Sequence, residues 1–236
     1  MLFLLPPSET KAQGGGALTI DQVALTFGGL NPARDLVRKA AGLETILTAP
    51  TMPAIDRYTG TLYGALHGRG LKGTSTEHNS LTPDEVARAK STVLIQSAVF
   101  GLIPATDLIP EYKINASKNL NGVNLKRLWT QAHEAIWPRL ASGIIIDLRS
   151  KTYADLAPIP EELTSYKVVV FVERENGERE QLNHFNKKAK GQLVRAALMA
   201  KNPPETIKDL QKCALKAGLR IEVEGSQLTL LTRSAT

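Results

Sequence analysis

Four segments of this sequence set polar and charged side chains directly beside apolar runs or at tight turns. Ser8, Glu9 and Lys11 follow the run Leu2–Leu5. Arg149, Ser150 and Tyr153 follow Ile144–Leu148, while Asp107, Tyr112 and Lys113 follow the stretch from Val93 to Ile103. His184, Asn186, Lys187, Lys188 and Lys190 enter an apparent helix that continues to Arg195. If the apolar runs are strands of an open α/β sheet, these groups lie at carboxyl ends, where ligands bind in such sheets.

The residue types suggest two kinds of chemistry. Glu9 could serve as a general base, with Tyr153 or His184 as the acid. Lys187 and Lys190, three apart, share a helix face, and Lys188 and Arg195 share an adjacent one. With Ser8, Lys11, Lys113 and Arg149 they make a candidate anion-binding set; Tyr58, Asp107, Tyr112, Ser150 and Asn186 complete the expected cleft lining. Lysines in a helix's first turn oppose its dipole by ~0.3–1 kcal/mol each at exposed positions. A helix starting at Asn186 would need a bound phosphate, or a carboxylate such as Glu9, to offset that cost. A solvated basic face, or a buried ion network fixing the sheet ends, would use the same residues.

Familiar motifs are missing. The sequence has no G-x-G-x-x-G after a strand, no P-loop, no G-x-S-x-G and no H-E-x-x-H. His67, His78, His133 and His184 lie far apart, and neither a metal site nor a cofactor is expected. Gly14-Gly15-Gly16 lacks the spacing and lysine of a phosphate loop and reads as a surface loop. Trp129 and Trp137 read as core. The one cysteine, Cys213, reads as a small buried hydrophobe and cannot form an internal disulfide.

Around these positions the pattern predicts alternating strands and helices. Expected strands are Met1–Leu5, a central run within Thr92–Ile103, and Ile144–Leu148. Tyr166–Glu173 and Glu178–Leu182 should form a hairpin around Asn176-Gly177, and LRIEVE should pair with QLTLLTR across Gly225-Ser226. Predicted helices are Pro32–Ala41 with Asn31 as cap, a helix over Pro53–His67 interrupted near Gly60, one opened by Thr82-Pro83-Asp84-Glu85, and Asn124–Arg139. Two more cover Asn186–Lys201 and Pro204–Lys216. A polar loop fills residues 68–80. The expected fold is a mixed α/β (α+β) domain spanning residues 1–236, with a mixed sheet, flanking helices and a terminal hairpin.

The chain has 236 residues and a net charge of +6, with 5% aromatic residues, so its core must rest on aliphatic side chains. A positive field favours anionic partners, nucleic acid among them. The opening apolar run of five residues is too short for a signal peptide or a membrane span. A soluble, cytoplasmic protein with no membrane partner is expected; oligomeric state is not legible.

Six segments, in order, resemble the peroxide stress protein YaaA family: LFLLPPSETK, RYTGTLYGAL, SAVFGLIPATDLIPEYKINAS, LWTQ, IIIDLRSKTYADL and HFNKKAKGQLVRAAL. The forms LLPPSE and TAPTMPAIDRYTG resemble an actinobacterial-type branch more than the enterobacterial one. The resemblance implies a compact mixed α/β fold with a positively charged cleft. It also implies cytoplasmic duty under hydrogen peroxide stress, limiting free iron and DNA damage, and DNA binding aided by a helix-hairpin-helix element. Here Lys39-Ala40-Ala41-Gly42-Leu43 runs almost directly into TILTAPTMP, where the family carries a longer helical stretch, and the hairpin glycine signature is not recognisable. Two functional readings follow: a protein holding DNA or another polyanion in a basic cleft, or an enzyme acting on a small nucleotide-like or anionic substrate there.

Overall fold

A computed structural model describes residues 1–69, 81–117, 120 and 122–233; His78 and most of the loop expected over 68–80 lie outside the described residues. In chain order the elements are β1 (Leu2–Leu5), α1 (Asn31–Ala40), β2 (Met52–Pro53), α2 (Ala54–Arg57), α3 (Thr61–Leu66) and α4 (Pro83–Thr92). Then come β3 (Val93–Ser97), β4 (Gly101–Pro104), β5 (Leu108–Ile109), α5 (Leu125–His133), β6 (Ile145–Asp147) and α6 (Lys151–Ala154). The chain closes with β7 (Ser165–Glu173), β8 (Arg179–Glu180), α7 (Asn183–Met199), α8 (Ile207–Lys216), β9 (Arg220–Glu224) and β10 (Gln227–Arg233).

The mixed α/β architecture expected from the sequence is present. The main sheet runs β4-β3-β1-β6-β7-β10-β9, with β8 against the far end of β7. Its centre is parallel: β1 with β3 and β6, β6 with β7, and β7 with β10. Antiparallel hairpins close both edges, β3 with β4 and β10 with β9. Strands buried on both faces need continuous apolar runs, which Leu2–Leu5, Val93–Ile95 and Ile145–Ile146 provide. One cluster of aliphatic side chains forms the core, with Trp129 and Trp137 inside it.

Local signals explain most element ends. Thr82 and Glu85 form a reciprocal capping box ahead of Pro83, and Thr206 with Asp209 does the same for α8. Several boundaries differ from expectation, four of them at helices. Asn31 is the first helical residue rather than the cap, which is Leu30. The helix expected through Arg139 ends at His133 and resumes as a 3₁₀ turn over Trp137–Leu140, because Pro138 has no N–H to donate to the Glu134 carbonyl and its ring crowds that oxygen. Helix α8 starts at Ile207 instead of Pro204. Helix α7 starts at Asn183, three residues early, behind Leu182, which has no capping side chain.

That last shift removes an argument. Lys187, Lys188 and Lys190 stand past the first turn of α7, where the dipole effect has faded, so no anion is needed to offset them.

Helices α3 and α7 cross at Gly191. A Cβ there would lie 2.1 Å from the carbonyl oxygen of Leu62, so only glycine permits this approach. The crossing sets where α7 presents Lys187 beside the start of α3.

Candidate functional site

Strand β1 sits where the strand order turns back: the chain moves from β1 to β3 on one side, then returns to β6 on the other. The carboxyl ends of β1 and β6 therefore diverge, leaving a crevice of the kind in which open α/β sheets bind ligands. A cleft of about 420 Å³ opens there. Its walls come from Pro6–Thr10 after β1, Thr59–Tyr63 at the start of α3, Asn115–Ser117, the Ser150–Tyr153 turn after β6, and Lys187 of α7.

Ser8, Glu9, Ser150, Tyr153 and Lys187 are thus brought together, as five of the residues singled out in the sequence. Tyr153 accepts a hydrogen bond from the Ala116 N–H at 3.3 Å, which leaves its own proton free to donate. Burial, helped by the charge of Glu9, pushes this phenol up to about 12, so it stays a neutral acid at physiological pH. Lys187 is exposed and, among the described residues, is the only basic side chain on the lining.

The remaining expected residues are placed elsewhere. Arg149 is buried and holds both oxygens of Asp147 through Nε and Nη2 at 2.8 Å, while Nη1 donates to Ala157 O. Its guanidinium therefore braces the turn after β6 and does not face the cleft. Lys190 donates to Leu148 O at 3.0 Å from a buried position; burial lowers its amine to about 8 against the pull of Asp147. Arg195 reaches the far end of α3, donating to Leu66 O at 3.1 Å and lying over Gly68. Asp107 accepts from the N–H and hydroxyl of Thr26 and anchors that loop. His184 is exposed with its ring against the edge of Phe185, and neither it nor Asn186 lines the cleft. Lys113 is exposed and Lys188 half-buried, both outside the lining. Among the described residues the lining is consequently rich in hydroxyls, with one basic side chain.

Lys11, Tyr58 and Tyr112 form a layer behind the cleft. The two phenol oxygens are 2.6 Å apart, and Tyr112 Oη is 2.8 Å from Ser97 Oγ. Burial raises both phenols. Tyr63, missed in the sequence, donates to Pro6 O at 2.8 Å. Thr10 and Thr59 were also missed: Thr59 donates to Thr10 Oγ1 at 2.9 Å, and Thr10 in turn is 3.2 Å from Ser8 Oγ. The available signal was Gly60, whose positive φ of 95° and missing Cβ let the backbone pass against Ser8, where a Cβ would lie 2.9 Å from Oγ. Among the described residues no group of three or more His, Cys, Asp or Glu side chains could hold a metal ion, and no helix is long and apolar enough to cross a membrane.

The family model for the peroxide stress protein YaaA matches residues 30–224. The chain belongs to that family. A UPF0246 protein of Corynebacterium glutamicum is 33% identical over 98% of this chain and 99% of its own length. A UPF0246 protein of Streptomyces coelicolor is 30% identical over 95% of this chain and 93% of its own. One from Shewanella woodyi is 27% identical over 80% and 75%. The actinobacterial likeness seen in LLPPSE thus extends to nearly the whole chain. The Corynebacterium alignment spans 261 positions, more than the 236 residues here, so that relative carries segments this YaaA-family chain lacks.

Proposed function

We propose that this YaaA-family protein serves the cytoplasmic response to peroxide through a small-ligand cleft, binding a nucleotide-like or other polar anionic molecule and moving a proton on it. Lys187 holds the anionic group, Glu9 acts as base and Tyr153 as acid. The observation that supports this reading is the convergence of one carboxylate, one neutral phenol and one lysine on a hydroxyl-lined cleft at the sheet's switch point. A volume of about 420 Å³ suits a ligand of nucleotide size. A polyanion would want many cations, and three of those expected for it, Arg149, Lys190 and Arg195, are bound to internal partners.

Isothermal titration with adenosine 5′-monophosphate tests the reading. Binding is expected in the wild type, lost in Lys187→Ala and kept in Glu9→Gln, with any turnover abolished in the latter. A wild type that binds neither this nucleotide nor inorganic phosphate sinks the proposal.

The DNA reading, with its limits on free iron and oxidative damage, keeps one favouring observation: Lys113, Lys187 and Lys188 still reach solvent on a chain of net charge +6. Fluorescence anisotropy with labelled duplex at ~50 mM salt, where phosphate contacts are strong, separates the two. Binding that weakens in Lys187→Ala/Lys188→Ala would favour DNA.

A further inference from the structure

We propose that Lys11 is a positioning residue for this cleft, its ammonium clamping the Ser8–Glu9 turn against the Tyr58–Tyr112 pair so that the cleft wall keeps its shape only while the amine is protonated. Lys11 Nζ donates to Ser8 O at 3.2 Å and Glu9 O at 3.3 Å. The same nitrogen lies 4.3 Å from the centre of the Tyr112 ring and 5.7 Å from that of Tyr58. One cation therefore joins the segment that carries Ser8, Glu9 and Thr10 to a layer of buried aromatic rings.

That layer is rigid for a countable reason. Ser97 Oγ accepts the N–H groups of Val99 and Phe100 at 3.1 and 3.0 Å, which uses its acceptor capacity. Its single proton must go to Tyr112, whose phenol is bonded in turn to Tyr58. Tyr112 is further held edge-on by Phe100. By contrast the turn itself has few main-chain ties: Ala12 N–H to Arg57 O at 2.8 Å and Thr59 N–H to Thr10 O at 3.1 Å flank it. A neutral amine would retain at most two donors and lose its attraction to both ring faces.

The charges facing Lys11 come from several elements. Glu111 and Glu9 favour the ammonium, Arg57 opposes it, and the phenols of Tyr58 and Tyr112 stay neutral. Desolvation outweighs the two carboxylates and lowers the amine to about 8. The clamp is therefore closed below that pH and opens above it, with the folded core intact on both sides of the transition.

The functional consequence rests on the cleft reading above, whereas the test needs no ligand, so failure of one is distinguishable from failure of the other. Hydrogen exchange is followed at the amides of Ala12 and Thr59, corrected for intrinsic rates, from about pH 6.5 to about pH 9.5. Wild-type protection is expected to hold at the acid end and to fall about tenfold or more through the range around pH 8. Lys11→Arg, which stays charged throughout, should show no such step. Lys11→Met should exchange at neutral pH as fast as the wild type does at the alkaline end. A wild type without the step, an equal step in Lys11→Arg, or full protection in Lys11→Met each overturns the clamp.

Discussion

Acid should weaken this fold through His133, by an amount that can be worked from its surroundings. The imidazole is buried between Trp129 and Trp137, with ring centroids at 5.6 and 5.9 Å. Nε2 receives the Leu102 N–H at 3.2 Å, so it must be the unprotonated nitrogen, and Nδ1–H donates to Trp129 O at 2.7 Å. Both ring nitrogens are satisfied only in the neutral form. Burial, opposed by the Trp129 carbonyl and reinforced by Arg149 and Arg34, lowers the group from 6.5 to about 4. A histidine depressed in the folded state contributes stability that is present above 6.5 and is lost as pH falls towards 4, because the unfolded chain takes up the proton first. At about 1.36 kcal/mol per unit, the loss is about 2 kcal/mol between pH 7 and pH 5, and about 3 kcal/mol by pH 4. Urea unfolding followed by tryptophan fluorescence at these pH values measures it. His133→Gln keeps an acceptor for Leu102 N–H and cannot titrate, so its stability should fall less between pH 7 and pH 5, by about 2 kcal/mol, whatever its starting value. Equal pH dependence in the two proteins would refute the assignment of the neutral, buried imidazole.

Two further substitutions test the scaffold. Gly191→Ala forces α3 and α7 apart, because the new methyl meets the Leu62 backbone; a loss of about 3 kcal/mol or more is expected by urea unfolding, and a change below about 1 kcal/mol would show that the crossing relaxes freely. Arg57 is buried and donates to the carbonyls of Ala12, Gly14, Pro50 and Ile109, so one guanidinium ties three separate segments, β5 among them. Arg57→Lys, with three donors and no fork, should cost about 3 kcal/mol and speed proteolysis within residues 12–16; unchanged cleavage would remove Arg57 from that role.

The sheet was legible because its signals are local and redundant. Apolar runs marked β1, β3 and β6, Asn176-Gly177 marked a turn, and Thr82 with Glu85 marked a helix start through atoms three residues apart. The start of α7 was not legible, since Leu182 offers no capping oxygen to see. At the cleft, Glu9, Ser8, Ser150 and Tyr153 could be read from their place after strands, because the carboxyl-end rule needs only strand direction. Arg149, Lys190 and Arg195 could not be sorted that way. A basic side chain looks the same in sequence whether it meets solvent or a main-chain carbonyl, and the oxygens of Leu148 and Leu66 lie 42 and 129 residues from their partners. Hydroxyls such as Thr10 and Thr59 also supply the lining, yet a threonine looks the same in sequence whether it faces a cleft or closes a turn.

The placing of β1 also bears on how the chain reaches this structure. Phe3 aligns with Val93 on one side and Ile146 on the other, roughly ninety and one hundred and forty residues away, and contacts so distant in sequence slow folding. Hairpins such as β3–β4 and β9–β10, and helices with their own caps, need no distant partner and can form first. The central strand is complete only with both remote strands in place; unpaired, Leu2–Leu5 is an apolar segment with both edges open. The crevice that seats the candidate site lies beyond the end of that strand, so the site's geometry depends on two pairings that are both remote in sequence.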